Sequence, residues 1–169
     1  MPLNNILKNG NLYVDGRGLL GEFSEFTPPN LDAILEDYKP GGLHGTLDVD
    51  LGLQKLVTSF ALTNFHPDVL ALFGVVDNQS VPLIFRGHLD SNDTGPSGML
   101  TTCRGKIRTI ELGQFTPGQM TMNRYTMTLD FYQLVIGGRQ VHEVDVTNNV
   151  FKVNGVDVLL QERINLGIA

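Results

Sequence analysis

Apolar and polar residues alternate with a period of two along much of this chain, and tight-turn dipeptides punctuate the alternation. Leu47, Val49 and Leu51 alternate with Asp48 and Asp50, and Tyr125, Met127, Leu129 and Phe131 alternate with Thr126, Thr128 and Asp130. Successive side chains of an extended strand point to opposite faces, so this is the pattern of half-buried β-strands. Asp15-Gly16, Gly137-Gly138 and Asn154-Gly155 can each supply the positive φ angles of a two-residue hairpin turn. Strands are expected near residues 12–14, 19–27, 31–38, 47–51, 53–64, 82–89, 99–112, 120–136 and 140–145, with further breaks at 27–30, 39–42, 90–98 and 116–118. Only 67–73 reads as a helix: Pro67 suits a first helical position, Asp68 suits the N-terminal dipole and Gly74 can close the end. The expected fold is mainly β, an antiparallel β-sandwich or open barrel with one short flanking α-helix. On alternation, Phe26, Leu47, Val49, Leu51, Leu56 and Phe60 are expected on core faces.

A chain of 169 residues, 41% apolar and 18% charged, suits one domain over 1–169 with a core of its own. No apolar run approaches the ~20 residues of a membrane-spanning helix, and the opening residues lack a signal-peptide core, so neither a membrane anchor nor export is expected. The one cysteine, Cys103, has no intramolecular partner and reads as a buried strand residue in a reducing compartment.

Enzymatic signals are weak. Asp48 and Asp50 share a strand face, but a hydrolase needs a second carboxylate at a set distance and a raised pKa, and a solvated polar face is the simpler reading. His44, His66, His88 and His142 do not fall at metal-ligand spacings, and neither a metal nor a cofactor is expected. Gly16, Gly18 and Gly21 match a dinucleotide fingerprint in letters only, because no βαβ alternation surrounds them. A monomeric β-sandwich that binds sugar or peptide is an alternative, disfavoured by the absence of Trp and the presence of only four Tyr.

Charge is unevenly placed. The net charge is −6, and residues 22–50 alone hold seven acids against Lys39. Such a surface repels phosphate and excludes a conventional nucleic-acid binder, though not a wall that nucleic acid must slide past. Arg104, Lys106 and Arg108, at i, i+2 and i+4, form a cationic ladder on one strand face, either solvated or docked against an acidic partner or neighbouring subunit. The terminal segments 1–10 and 159–169 carry apolar residues without a strong element of their own, as if meant for inter-subunit contact.

Several short motifs in order carry a resemblance that spans nearly the whole chain: Asn11-Leu12-Tyr13-Val14-Asp15-Gly16, Glu36-Asp37-Tyr38-Lys39-Pro40-Gly41-Gly42, Asp50-Leu51-Gly52-Leu53, Phe85-Arg86-Gly87, Val153-Asn154-Gly155-Val156-Asp157 and Arg163-Ile164-Asn165-Leu166-Gly167. The sequence resembles the major tail tube proteins of contractile-tailed phages, the family that also supplies the inner tube of R-type pyocins. The resemblance implies a structural, non-enzymatic subunit of a virion, assembled in the host bacterial cytoplasm. It implies homo-hexameric rings stacked into a hollow tube with one continuous inner β-barrel, inside a contractile sheath protein. The implied partners are the baseplate or tube initiator, a tail terminator and a tape measure protein in the lumen, with DNA passing through unbound. On that reading Glu25, Thr27, Asp32, Glu36, Asp48, Asp50 and Ser59 are candidates for the lumen wall. Leu3, Ile6, Lys39, Pro40, Gly41, Gly42, Arg163 and Leu166 are candidates for ring stacking, and Arg104, Lys106 and Arg108 for contact with the sheath or a neighbour.

Overall fold

Three of the punctuating dipeptides do what their chemistry demands. Asp15-Gly16, Gly137-Gly138 and Asn154-Gly155 all have positive φ at both positions, and each joins two antiparallel strands. In the computed structural model, which describes residues 3–74 and 79–168, twelve strands and two short helices follow one another. They are β1 (Ile6–Val14), β2 (Arg17–Gly18), β3 (Phe23–Thr27), β4 (Ala33–Tyr38), β5 (Leu47–Leu53), β6 (Leu56–Leu62), α1 (Pro67–Leu70), β7 (Val81–Asp90), β8 (Ser97–Glu111), β9 (Asn123–Ile136), β10 (Arg139–Asp145), β11 (Val150–Val153), β12 (Val156–Asp157) and α2 (Leu160–Leu166).

Every pairing is antiparallel, in the order β12-β11-β10-β9-β8-β7-β1-β2. The long strand β9 shares its second edge between two partners: β6 takes 123–129 and β10 takes 131–136. The fork between them is Asp130. It is the extra residue of a bulge, since Arg104 pairs with Phe131 and the next residue, Gly105, pairs with Leu129. Its carbonyl accepts the Val146 N–H at 2.9 Å and its carboxylate accepts the Ser80 hydroxyl at 2.8 Å. Gly105 permits the close approach: a Cβ there would lie 2.0 Å from the Thr128 carbonyl oxygen.

β3 lies beyond β6 on one branch of the fork, yet Phe26 of β3 stacks on Phe85 of β7 with ring centroids 4.9 Å apart. β3 and β7 are not hydrogen-bonded neighbours, so the sheet bends over on itself and encloses the core between its branches. Leu12, Val14, Leu56, Phe60, Leu83, Cys103, Tyr125 and Met127 are buried there, with Phe60 stacked on Tyr125 at 4.8 Å. Burial holds the Cys103 thiol high, at about 12.

The structure corrects several expectations. The helix begins at Pro67 but ends at Leu70; turns carry the chain to Gly74. A second helix, α2, stands where no element is expected, so the fold has two short helices rather than one. The N-terminal segment is not a loose arm: Ile6 opens β1 and pairs with β7, and the Leu3 carbonyl accepts the Asn92 N–H at 3.1 Å. Residues 1, 2 and 169 of the expected contact arms lie outside the described residues. Leu47, Val49 and Leu51 are exposed instead of facing a core, because β4 and β5 form a two-stranded sheet of their own that pairs with no other described strand, and only Leu53 at its base packs against the core.

Candidate assembly surfaces

The β4–β5 hairpin prolongs the β3–β6 ladder. Going outward, Phe26 pairs with Phe60 and Thr27 with Ser59; after the break at Pro28 and Pro29, Ala33 pairs with Leu53 and Tyr38 with Leu47. Proline lacks the N–H that a ladder needs, so two in succession end β3, and the Asp32 carbonyl restarts the contact by accepting the Gln54 N–H at 2.8 Å.

Register sorts the hairpin into two faces, because directly opposite residues share a face. Leu35 faces Asp50 and Asp37 faces Asp48, so one side carries three carboxylates and one leucine. Glu36 faces Val49 and Tyr38 faces Leu47, and with Leu51 they make the other side largely apolar. Every side chain of β4 is exposed, as is every one of β5 except Leu53, which is half-buried. Of the acidic lumen candidates, Asp48 and Asp50 are therefore together, joined by Asp37, which alternation along one strand could not select. Glu36 is on the opposite side, and Asp32 is at the bend between β3 and β4.

The other lumen candidates lie on the solvent face of the β3–β6–β9–β8 sheet. Thr27 pairs with Ser59, Ser59 with Thr126 and Thr126 with Thr109, so four hydroxyl side chains cross four strands in one row. Strand spacing of about 4.8 Å makes it a continuous polar strip. In the next row, Glu25 and Arg124 flank the buried Ala61 and form an ion pair over it at 3.0 Å, and the exposed Glu111 stands opposite Arg124 on its other side. Thr109 and Thr126 escaped the sequence reading because only register places them beside Ser59.

The cationic ladder alternates as expected: Arg104, Lys106 and Arg108 are exposed, while Gly105 and Ile107 between them, and Cys103 before them, are buried. Arg104 also serves the fork, its guanidinium 3.5 Å from the Asp130 carboxylate and 5.4 Å from the Phe131 ring centroid.

The stacking candidates divide. Lys39, Pro40, Gly41 and Gly42 occupy the exposed tip of the hairpin, where a Cβ on either glycine would meet nothing within 4 Å. Leu3, Ile6 and Leu166 expose large apolar surfaces. Arg163 is turned inward instead. Its guanidinium grips both oxygens of Asp157, at 3.2 and 2.5 Å, and donates to the Asn149 carbonyl at 3.0 Å, latching α2 onto the β11–β12 hairpin. That guanidinium holds the Asp157 carboxyl below the ordinary aspartate range.

Comparison with known proteins gives the family of the chain that carries these surfaces. The family model for phage tail tube protein FII matches residues 4–167. The chain belongs to the phage tail tube protein family. Among relatives of this tail tube protein, the tail tube protein of Escherichia phage P2 is 31% identical over 99% of this chain and 100% of its own length. The major tail tube protein of Serratia phage KSP20 is 30% identical over 92% of this chain and 91% of its own. The tail tube fold is also seen, at 11% identity and a TM-score of 0.56, in the sheath/tube terminator of an extracellular contractile injection system, covering 75% of this chain and 91% of that one. The role is structural: this is a tail tube subunit, and its working parts are surfaces. Among the described residues no group of three or more His, Cys, Asp or Glu could hold a metal ion.

Proposed function

We propose that the chain is the repeating subunit of the inner tube of a contractile phage tail, six copies closing a ring and rings stacking inside a sheath. The observation that carries the proposal is the β4–β5 hairpin. It projects from the body with an apolar side that nothing among the described residues covers and an acidic side that needs water. Exposed apolar surface of this extent marks an interface, and sorting carboxylates away from it gives that interface a direction. Tyr38, Leu47, Val49 and Leu51 pack against the neighbouring subunits, while Asp37, Asp48 and Asp50 line the lumen with the row Thr27, Ser59, Thr126 and Thr109. The tip at Lys39, Pro40, Gly41 and Gly42 reaches the next ring, aided by Leu3, Ile6 and Leu166.

Six copies would set about 18 carboxylates around each ring. Salt screens them within about 8 Å at physiological ionic strength, so repulsion acts at the wall and keeps phosphate from adhering without barring the channel. DNA passes, and before it a tape measure protein occupies the space during assembly in the host cytoplasm. Lys106 stands opposite Thr128, on the same sheet face as Thr126, so of the two docking roles for Arg104, Lys106 and Arg108 it is contact with the adjacent subunit that fits, not with a sheath outside the tube; initiator and terminator proteins close the two ends. Negative-stain electron microscopy of the purified protein at high concentration tests the reading. Six-fold rings and hollow rods are expected, and a monomeric field even with a tube initiator added would sink it.

A further inference from the structure

In a head-to-tail stack of identical copies, whatever one end of the subunit displays must be covered by the other end. The β6–β9 ladder defines two such ends, Leu62/Asn123 and Leu56/Leu129, separated by seven residue pairs or about 20 Å. The Leu62/Asn123 end carries a knob. Residues 112–122, between β8 and β9, contain no charged side chain, and they expose Phe115 (66%) and Met120 (85%). Phe65, just past β6, braces Phe115 edge-on, with ring centroids 5.4 Å apart at 74°. Asn123 fixes the base of the loop by donating to the Asn64 carbonyl at 2.7 Å.

The opposite end carries a groove of about 770 Å³ between the β5–β6 junction, β9, β10 and α2. Leu53, Leu56, Leu129, Val144 and Phe151 form its apolar floor, and its charges, Asp50, Lys55, Asp145 and Glu162, stand at the rim. All three rim carboxylates already accept hydrogen bonds: Asp50 from the Gly52 N–H, Asp145 from Asn148, and Glu162 from Asn149. Knob and groove therefore suit one another: an uncharged loop that exposes Phe115 and Met120 against an apolar floor. The hairpin leaves the body at this same end, beside the groove.

We infer that the 112–122 knob of one subunit seats in the groove between the β5–β6 junction and α2 of a second copy in the adjacent ring. The inference rests on the tube reading and adds which two surfaces meet across rings. It assigns α2, through the Arg163–Asp157 latch, the role of a groove wall. Stacking is then two-way: a ring sends its hairpin toward one neighbour and receives that neighbour's knob between hairpin and α2.

A cysteine pair tests it, because the native Cys103 is fully buried and does not compete. Phe115→Cys combined with Val146→Cys, both at exposed positions, should give a ladder of covalent multimers when assembled tubes are oxidised; neither single variant should extend beyond dimers. In parallel, Phe115→Asp with Met120→Asp should leave a folded protein by circular dichroism but abolish rods. Wild-type rods together with no ladder, or rods of normal length from the double aspartate variant, would overturn the inference and leave the tube reading standing. Wild-type protein that stays monomeric even with an initiator would overturn both.

Discussion

Replacing Gly105 by alanine adds a single methyl group at the most crowded point of the sheet. That methyl would lie 2.0 Å from the Thr128 carbonyl oxygen and 2.8 Å from the Leu129 Cα. These are backbone atoms of the partner strand, committed to β6 on their other side, so no side chain can swing away to relieve the clash. Overpacking commonly costs about 1–3 kcal/mol, and with only backbone to move the upper end, about 3 kcal/mol, is expected. At roughly 2–4 °C per kcal/mol for a chain of this size, the melting temperature should fall by about 6–12 °C. Gly98→Ala is the internal control on the same strand, because a Cβ there meets nothing within 4 Å. It should melt within about 2 °C of the parent or slightly above it, since alanine restricts the unfolded chain. Thermal unfolding of the two variants, followed by circular dichroism, decides the matter. If both melt together, Gly105 is not the point where the two strands are pressed together, and the account of the fork at Asp130 is wrong.

Other perturbations separate the surfaces. Leu47→Asp with Val49→Asp alters only exposed side chains, so stability should change by less than about 1 kcal/mol for the pair while rods disappear from micrographs; unchanged rods would remove the apolar side of the hairpin from the interface. Asp48→Lys with Asp50→Lys should leave tubes intact but make them retain short DNA at low salt and release it as salt rises, as phosphate contacts do; tubes that bind no DNA at any salt would argue that these carboxylates face away from the lumen. Arg163→Ala should speed amide exchange across 160–166 at neutral pH. In the parent protein, acid should do the same: the Asp157 carboxyl is held low, so the latch is complete above the ordinary aspartate value of about 3.9 and is lost as pH falls through its lowered value. Exchange in α2 that is indifferent to both changes would show that the latch does not hold the helix. Charge reversal of Arg104, Lys106 and Arg108 to glutamate should weaken ring closure, read by the loss of six-fold rings in negative stain; rings in normal yield would leave the ladder as a solvated face.

What was legible in the sequence was local. The three hairpin turns are encoded in their own two residues, and the alternation of Arg104, Lys106 and Arg108 with buried neighbours is encoded in a single strand. What escaped needed a partner. Ile6 to Gly10, rich in asparagine and glycine nearby, becomes a strand because β7 supplies the ladder. α2 has seven residues and no side-chain N-cap, too short to show a helical period; Arg163 and Asp157 hold it from across the β11–β12 hairpin. Leu47, Val49 and Leu51 carry the signature of a core strand, yet no surface among the described residues covers them. Alternation states that a face is apolar, not whose apolar face it meets.

The same distinction governs the acidic side of the hairpin. Counting by twos along β4 groups Glu36 with Asp32, and counting along β5 groups Asp48 with Asp50; nothing in either strand fixes their relative register, which the 39–46 connection sets. The observed register places Asp37 directly opposite Asp48, and like charges in that position disfavour the hairpin in an isolated chain. A pairing unfavourable for the protomer and retained on an exposed, apolar-backed hairpin makes sense when the apolar back is buried by another subunit and the carboxylates are left to a water-filled space. On the proposed tube reading the hairpin is specified by the assembly more than by the chain that carries it: its stability should depend on ring formation, with amides of 33–38 and 47–53 exchanging quickly in the monomer and slowly in rods, while those of β8 and β9 exchange slowly in both.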